Sequence, residues 1–321
     1  MELDVGLLSE FERCLDPRHP ERGRIPTWVL GYGEISTVLE IGGDAGRALA
    51  YKRMPIFRSA EEIEGYKRTL DTYCRVLSEE VGIALPASGH ASLEVEGGRR
   101  VLFIGQEKLK PASVGHKAIH LLPPGDTVRL VRAVLRELRK VWEFNAGGAG
   151  VELGIDGQIS NWAVDGFDPD MARLPEDPRL VYFDISTPLV RLEGVEQLDP
   201  ELFLRSAPSF LVWLLRLFFL KGVVERYYDF HLVAVDLVAN FYKEQLPGLI
   251  PRLVAEVNDF FAGEAGDLKV APITPKEVKS YYRQDALIWR LYLSMRRTDR
   301  FLKTRILRTG YPYILPGKVN R

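Results

Sequence analysis

Between Thr27 and Gln106 the chain repeats one pattern: short runs of β-branched and aromatic residues separated by glycine-bearing turns. Leu30-Gly31-Tyr32-Gly33-Glu34-Ile35-Ser36-Thr37-Val38 reads as a strand, a turn and a return strand that continues through Leu39-Glu40-Ile41. The turn Gly42-Gly43-Asp44 leads to a third strand ending in Ala50-Tyr51-Lys52-Arg53. Two more runs, 91–95 and 100–106, flank Gly97-Gly98 as a hairpin. One helical pattern interrupts this series. It opens at Ser59 with Glu62 three residues on, a capping-box arrangement, and carries Ile63, Tyr66, Leu70, Tyr73, Cys74 and Leu77 at helical spacing. The first third of the chain therefore predicts a mostly antiparallel sheet with one long helix.

Beyond Gln106 the composition changes. Pro111, Pro123, Pro124 and Gly125 punctuate a connecting segment, and Asp126-Thr127 predicts the cap of a helix running to about 144. Helical periodicity then covers 202–224, 235–245, 250–261 and 276–303. The expected fold is α+β in two lobes: 1–108, including an extension over 1–24 with a short amphipathic helix at 3–14, and a mainly helical 109–321. The lobe boundary is expected near 107–112.

Two stretches carry the chemistry. In Asp156-Gly-Gln-Ile-Ser-Asn161 an acid precedes an amide by five residues, and Tyr182-Phe-Asp184 ends an apolar run in a second acid. Phosphoryl transfer from a nucleotide needs one carboxylate to orient an attacking hydroxyl. It also needs an amide oxygen and a carboxylate to hold Mg²⁺. Asp156 is the candidate for the first task, Asn161 and Asp184 for the second. A turn aspartate and a capping asparagine are the plain alternatives. Upstream, Gly31 and Gly33 would permit positive φ and close approach of backbone N–H groups to phosphate oxygens. The plain reading there is a simple hairpin. Strand side chains alternate, so only one of Lys52 and Arg53 is expected to point inward. Lys52 is the candidate phosphate clamp. Its acidic partner would come from the following helix: Glu62, on one stripe with Tyr66 and Leu70, with Glu64 and Asp71 as the other choices.

Together these motifs resemble the protein-kinase-like superfamily, closest in style to its aminoglycoside and small-molecule phosphotransferase branch. Gly31-x-Gly33-x-x-Ser36-x-Val38 is similar to the family's glycine-rich loop G-x-G-x-x-G-x-V, Ala50-Tyr51-Lys52 to its V-A-I-K strand, Asp156 to Asn161 to its catalytic loop, and Phe183-Asp184-Ile185-Ser186 to its D-F-G segment. The resemblance spans roughly residues 25 to 190. It implies a two-lobed fold that binds ATP with Mg²⁺ in the interlobe cleft, adenine being held by backbone groups of Glu107 and Leu109. The acceptor would be an unidentified hydroxyl of a small molecule or protein. The sequence departs from the pattern at Ser36, at Gly154-Ile155, where a histidine usually precedes the catalytic aspartate, at Gln158, where a cation is common, and at Ile185-Ser186. A pseudokinase, holding nucleotide or acting as a scaffold without turnover, is the alternative implied by those departures; adenylyl transfer is a third.

Bulk properties narrow the field. The formal net charge is −1, so no global basic field argues for nucleic acid or an anionic membrane. Two cysteines, Cys14 and Cys74, do not form a disulfide framework and fit a reducing, cytoplasmic setting. The first residues lack the form of a secretion signal. The apolar run 210–224 contains Arg216 and Lys221 and reads as a buried helix, not a membrane span. The five histidines show no metal-ligand spacing. The acids Glu193, Glu196, Asp199 and Glu201 read as a solvated loop, and Arg226 to His231 and Arg296 to Arg300 as packing and solvated faces.

Overall fold

The computed structural model describes all residues except 34, 43–47, 96–97, 149, 200, 206–223 and 318–321. Expectations for Glu34, for Gly43-Asp44, for Gly97 and for most of the 210–224 helix lie outside the described residues.

The alternating runs form strands β1 (Thr27–Tyr32), β2 (Thr37–Ile41), β3 (Leu49–Phe57), β4 (Ser88–Val95) and β5 (Arg99–Glu107). They build one antiparallel sheet in the order β1-β2-β3-β5-β4. Both faces of its centre are buried, so the strands read as apolar runs broken by polar residues with specific partners. On one face Leu39, Ile41, Tyr51, Val101 and Phe103 pack with Leu8 and Phe11 of helix α1 (Val5–Cys14) and with Ile314. Phe11 meets Phe103 edge-on, centroids 6.2 Å apart. On the other face Met54, Ile56, Leu102 and Ile104 join the main core, which continues into the rest of the protein. Helix α2 (Ala60–Arg75) covers that face with Ile63, Tyr66, Leu70 and Tyr73, as its periodicity predicts. Ser59 caps it by accepting from the Glu62 amide at 3.3 Å.

Helix α3 (Gly115–Leu121) leads into α4 (Pro124–Ala146), the central helix of the second part. It begins two residues before the expected Asp126, because Pro124 at its first position needs no amide partner and presets φ. Asp126 instead accepts from the Leu174 amide at 3.1 Å, tying down a loop. Short strands follow: β6 (Val151–Leu153), β7 (Trp162–Val164), β8 (Leu180–Tyr182), β9 (Val190–Leu192) and β10 (Val195–Glu196). They pair as β10-β9-β6 and as the β7-β8 ribbon. Helix α5 (Glu201–Leu204) precedes the undescribed stretch. Helices α6 (Phe230–Lys243), α7 (Ile250–Ala262) and α8 (Pro275–Phe301) then complete the helical part close to their predicted limits. The architecture is α+β, an antiparallel N-terminal sheet followed by a helical C-terminal part. Among the described residues no helix is long and apolar enough to cross a membrane.

Candidate active site

Strand β3 sends adjacent cations to opposite faces of the sheet, and both are buried. Arg53 points toward α1, where its Nε and Nη2 pair with the Glu12 carboxylate and its Nη1 donates to the Pro312 carbonyl at 2.8 Å. Lys52 points the other way. Its Nζ lies 2.6 Å from Asp184 Oδ1 and donates to Ser186 Oγ at 3.2 Å and to the Phe183 carbonyl at 3.4 Å. The expectation that only one of the pair turns inward is corrected: the sheet is covered on both sides, and each cation has a buried partner. In the ladder Lys52 stands between Val38 on β2 and Ile104 on β5, with Ala50 opposite Gln106 one step along the same face. This face meets the loop that carries Asp184.

The β7-β8 ribbon leads to that acid. Trp162 pairs with Tyr182, so the residues just before and after the paired positions, Asn161 and Phe183, are also neighbours; the Phe183 amide donates to the Asn161 carbonyl at 3.1 Å. Asp184 is the next residue. The Asn161 side-chain amide donates to the Asp156 carbonyl at 3.2 Å, leaving its Oδ1 without a hydrogen-bond partner among the described residues. Asp156 is held by its own loop, its carboxylate accepting from the Gln158 amide at 3.1 Å. Gly157 lets this loop lie flush on two helices: a Cβ there would come within 2.6 Å of Val233 Cγ1 on α6 and 3.0 Å of Leu138 on α4. Asp156, Asn161, Asp184 and Lys52 are thus brought together from three separate segments.

The electrostatics distinguish the two acids. Burial acts to raise the Asp184 carboxyl, but the Lys52 ammonium and the Ser186 hydroxyl outweigh it and hold the group below its ordinary range. Asp156 has no cation of its own. Burial, then the charges of Asp236 and Asp184, push it up to about 8. Asp184 is therefore a carboxylate at neutral pH, and Asp156 is a basic carboxyl poised near neutrality.

Several participants escaped sequence reasoning. Asp236, on α6, is buried and accepts from Gln158 Nε2 at 3.1 Å; burial raises its carboxyl as well. Its signal was present, a lone acid in the otherwise apolar His-Leu-Val-Ala-Val-Asp-Leu-Val-Ala stretch, because an isolated buried acid is costly. The charge of Arg226 acts on Asp156 and Asp236 in the opposite sense, holding both lower than they would otherwise stand. Tyr66 and Tyr73 read as core positions. Their hydroxyls do more, donating to the Ser186 carbonyl at 2.7 Å and the Gly154 carbonyl at 3.0 Å, so α2 grips the loops that carry both acids. Gln106 is buried on the same face as Lys52, and its Nε2 has no hydrogen-bond partner among the described residues.

Two further expectations are corrected. Glu62 does not meet Lys52; its carboxylate accepts from the Arg58 amide at 2.7 Å and pairs with Arg205, Nη2 to Oε1 2.9 Å. Glu64 pairs with Lys67, and Asp71 lies beside His90. The acid that meets Lys52 is instead Asp184, from the segment after β8. Gly31 and Gly33 do not adopt positive φ, although Gly42 does. Close packing constrains Gly33: a Cβ would stand 2.8 Å from Ser36 Oγ, while its amide donates to the Ser36 carbonyl at 3.0 Å. At the end of β5 the Glu107 amide is engaged by the Ala87 carbonyl at 2.9 Å. The Leu109 amide has no partner among the described residues.

The donor set suits a nucleotide with a divalent ion. Mg²⁺ keeps few protein ligands and takes the rest from phosphate and water. Asn161 Oδ1 and the second oxygen of Asp184 meet that need. No cluster of three or more His, Cys, Asp or Glu residues able to hold a metal occurs among the described residues. Gln106, with its Nε2 unpartnered among the described residues, stands opposite Ala50 on the same face as Lys52.

Fold and site define an α+β protein whose N-terminal sheet places a lysine against an acid-and-amide cluster on the helical part. The chain belongs to DUF6206, a family of unknown function whose model matches residues 19–300. It is similar to a solved chain described as WaaP in complex with acyl carrier protein, with 17% sequence identity, 80% of this chain and 86% of that chain covered, and a TM-score of 0.34. No curated protein matches it.

Proposed function

We propose that the chain has a protein-kinase-like fold and acts as a phosphotransferase, using ATP and Mg²⁺ to phosphorylate a hydroxyl group. The observation that carries this reading is the contact between the sheet and the helical part, Lys52 Nζ to Asp184 Oδ1 at 2.6 Å, with Asn161 and Asp156 on the adjoining loops. ATP with Mg²⁺ would supply the transferable phosphoryl group.

The chain's own residues divide the remaining work. Asp184 and Asn161 hold the metal, and Lys52 neutralises phosphate charge in a site from which water is partly excluded. The 31–36 hairpin, with Ser36 and Val38, covers the phosphates, and Gln106 and the Leu109 amide hold the base. Asp156 takes the proton of the acceptor hydroxyl as its oxygen bonds to phosphorus and the bond from phosphorus to the leaving diphosphate breaks. A carboxyl raised to about 8 is a stronger base than an ordinary aspartate, which suits that task near neutral pH. The two free cysteines, Cys14 and Cys74, fit action in the cytoplasm.

One observation favours a second reading, nucleotide binding without turnover. Gln158 stands where a cation would steady the transferring group, and its side chain is occupied by Asp236. Thermal-shift titration with ATP, with and without Mg²⁺, followed by an ATP-hydrolysis assay, separates the two. The phosphotransferase predicts Mg²⁺-dependent stabilisation and turnover, with Asp184→Asn weakening metal-dependent binding about tenfold or more. Stabilisation without turnover supports the second reading, and no stabilisation rejects both.

A further inference from the structure

Outside the Lys52–Asp184 site, the Arg18-His19 turn of the N-terminal extension meets the C-terminal end of α8. Between them lies a cavity of about 430 Å³ lined by Arg18, His19, Arg297, Arg300 and Arg305 around Phe301. Among the described residues no carboxylate is in its lining, although Glu21 lies 3.5 Å from His19 Nδ1. Arg18 Nη2 donates to Thr304 Oγ1 at 2.7 Å and Arg297 to the Pro316 carbonyl at 3.1 Å, so these two guanidinium groups are fixed by neutral acceptors. Arg300 and Arg305 have no acidic partner among the described residues. Between 296 and 308 six basic residues accompany a single acid, Asp299, which Lys303 holds at 2.8 Å. A net charge of −1 for the whole chain conceals this local concentration of positive charge.

Guanidinium groups gathered without counter-ions repel one another, and planar forks of this kind match phosphate oxygens in pairs. A second property accompanies the charge. Phe301, Ile306 and Leu307 are 57%, 61% and 65% exposed at the same end of α8. Soluble phosphate gives no reason for three exposed apolar side chains beside the arginines. A bilayer surface does, because basic residues meet its anionic headgroups while apolar side chains enter the interfacial layer.

We propose that this cavity binds the phosphate headgroup of an anionic lipid and docks the protein on a membrane surface through the end of α8. The arginines face headgroups, and Phe301, Ile306 and Leu307 reach the acyl boundary. This docking is peripheral and does not depend on the reading of the Lys52–Asp184 site.

Co-sedimentation of the full chain with vesicles at physiological salt tests it. The expected result is binding to phosphatidylcholine vesicles containing phosphatidylserine and little to phosphatidylcholine alone. Each charge removed should weaken binding about fivefold, so Arg300→Gln with Arg305→Gln should lose about 25-fold. Phe301→Ser with Leu307→Ser should weaken binding to a similar degree at all salt concentrations, without changing its salt dependence. All four positions are at least partly exposed, and an unchanged melting temperature checks that the variants fold. Equal binding to both vesicle types, or wild-type binding by the arginine variant, overturns the proposal. It is also overturned if pyrophosphate stabilises wild type but not the arginine variant while neither binds vesicles, since the site then takes a soluble phosphate. Tighter binding of an oligonucleotide than of the anionic vesicles overturns it as well.

Discussion

Neighbouring cations on one strand allow stability and ligand binding to be separated by single substitutions. Arg53 and Glu12 expose only 2% and 3% of their side chains. Arg53→Met leaves the Glu12 carboxylate buried without its partner, and breaking a pair of this kind costs about 3–5 kcal/mol. Replacing both with methionine should recover most of that loss, because the buried charge disappears with the pair. Lys52→Met acts in a different setting. Asp184 keeps 26% side-chain exposure and its bond from the Ser186 hydroxyl, 3.0 Å long, so water and Ser186 still support its charge. The discounted cost is about 1–2 kcal/mol. Binding should reverse the order. Saturating ATP with Mg²⁺ at about 100 times Kd stabilises a folded protein by about 2.7 kcal/mol. Arg53→Met should retain that increment and Lys52→Met should lose most of it. Urea unfolding followed by circular dichroism, with and without nucleotide, measures all four quantities. The reasoning fails if Arg53→Met costs less than Lys52→Met, or if Lys52→Met keeps the full nucleotide increment.

Two more outcomes follow from buried groups at the candidate site. The Asp156 carboxyl rises from 3.8 to about 8 on folding, so metal-free folded protein binds an extra proton between those values and loses stability as pH climbs through the interval. Asp156→Asn should flatten that slope and be more stable than wild type above about pH 8; an unchanged slope in urea midpoints would place the titration elsewhere. Gln106→Leu removes an amide that is buried without a partner, so it should raise stability by about 1 kcal/mol while weakening nucleotide binding. A variant that loses stability and binds as before would show that Gln106 serves packing alone.

Local patterns made the first sheet and its helix readable, because alternation, the Ser59 cap and the Ile63–Tyr73 spacing all act over a few residues. The later helices were readable for the same reason. What escaped was set by distance along the chain. The runs 162–164 and 180–183 are legible as short strands, but their pairing, which brings Asn161 beside Phe183, is not. Glu62 lies on the right helical stripe, but no stripe reveals that Arg205, 143 residues away, claims it, or that Lys52 meets an acid 132 residues downstream. Asp236 was legible in principle as an acid on an apolar helix. Tyr66 and Tyr73 were placed correctly as core residues; what periodicity cannot encode is the direction of a hydroxyl.

The outer layer of the N-terminal sheet is shared by residues from opposite ends of the described chain. Thr37 Oγ1 donates to the Ile314 carbonyl at 3.5 Å across 277 residues, and Arg53 donates to Pro312 across 259. On the ribosome, the strands that emerge first must wait with one apolar flank uncovered until residue 315 has been made. Vectorial synthesis therefore cannot finish this half before the other. A cell producing the protein must shield that flank while the intervening residues are made, and a ribosome that stalls before residue 312 would release a sheet lacking that covering segment.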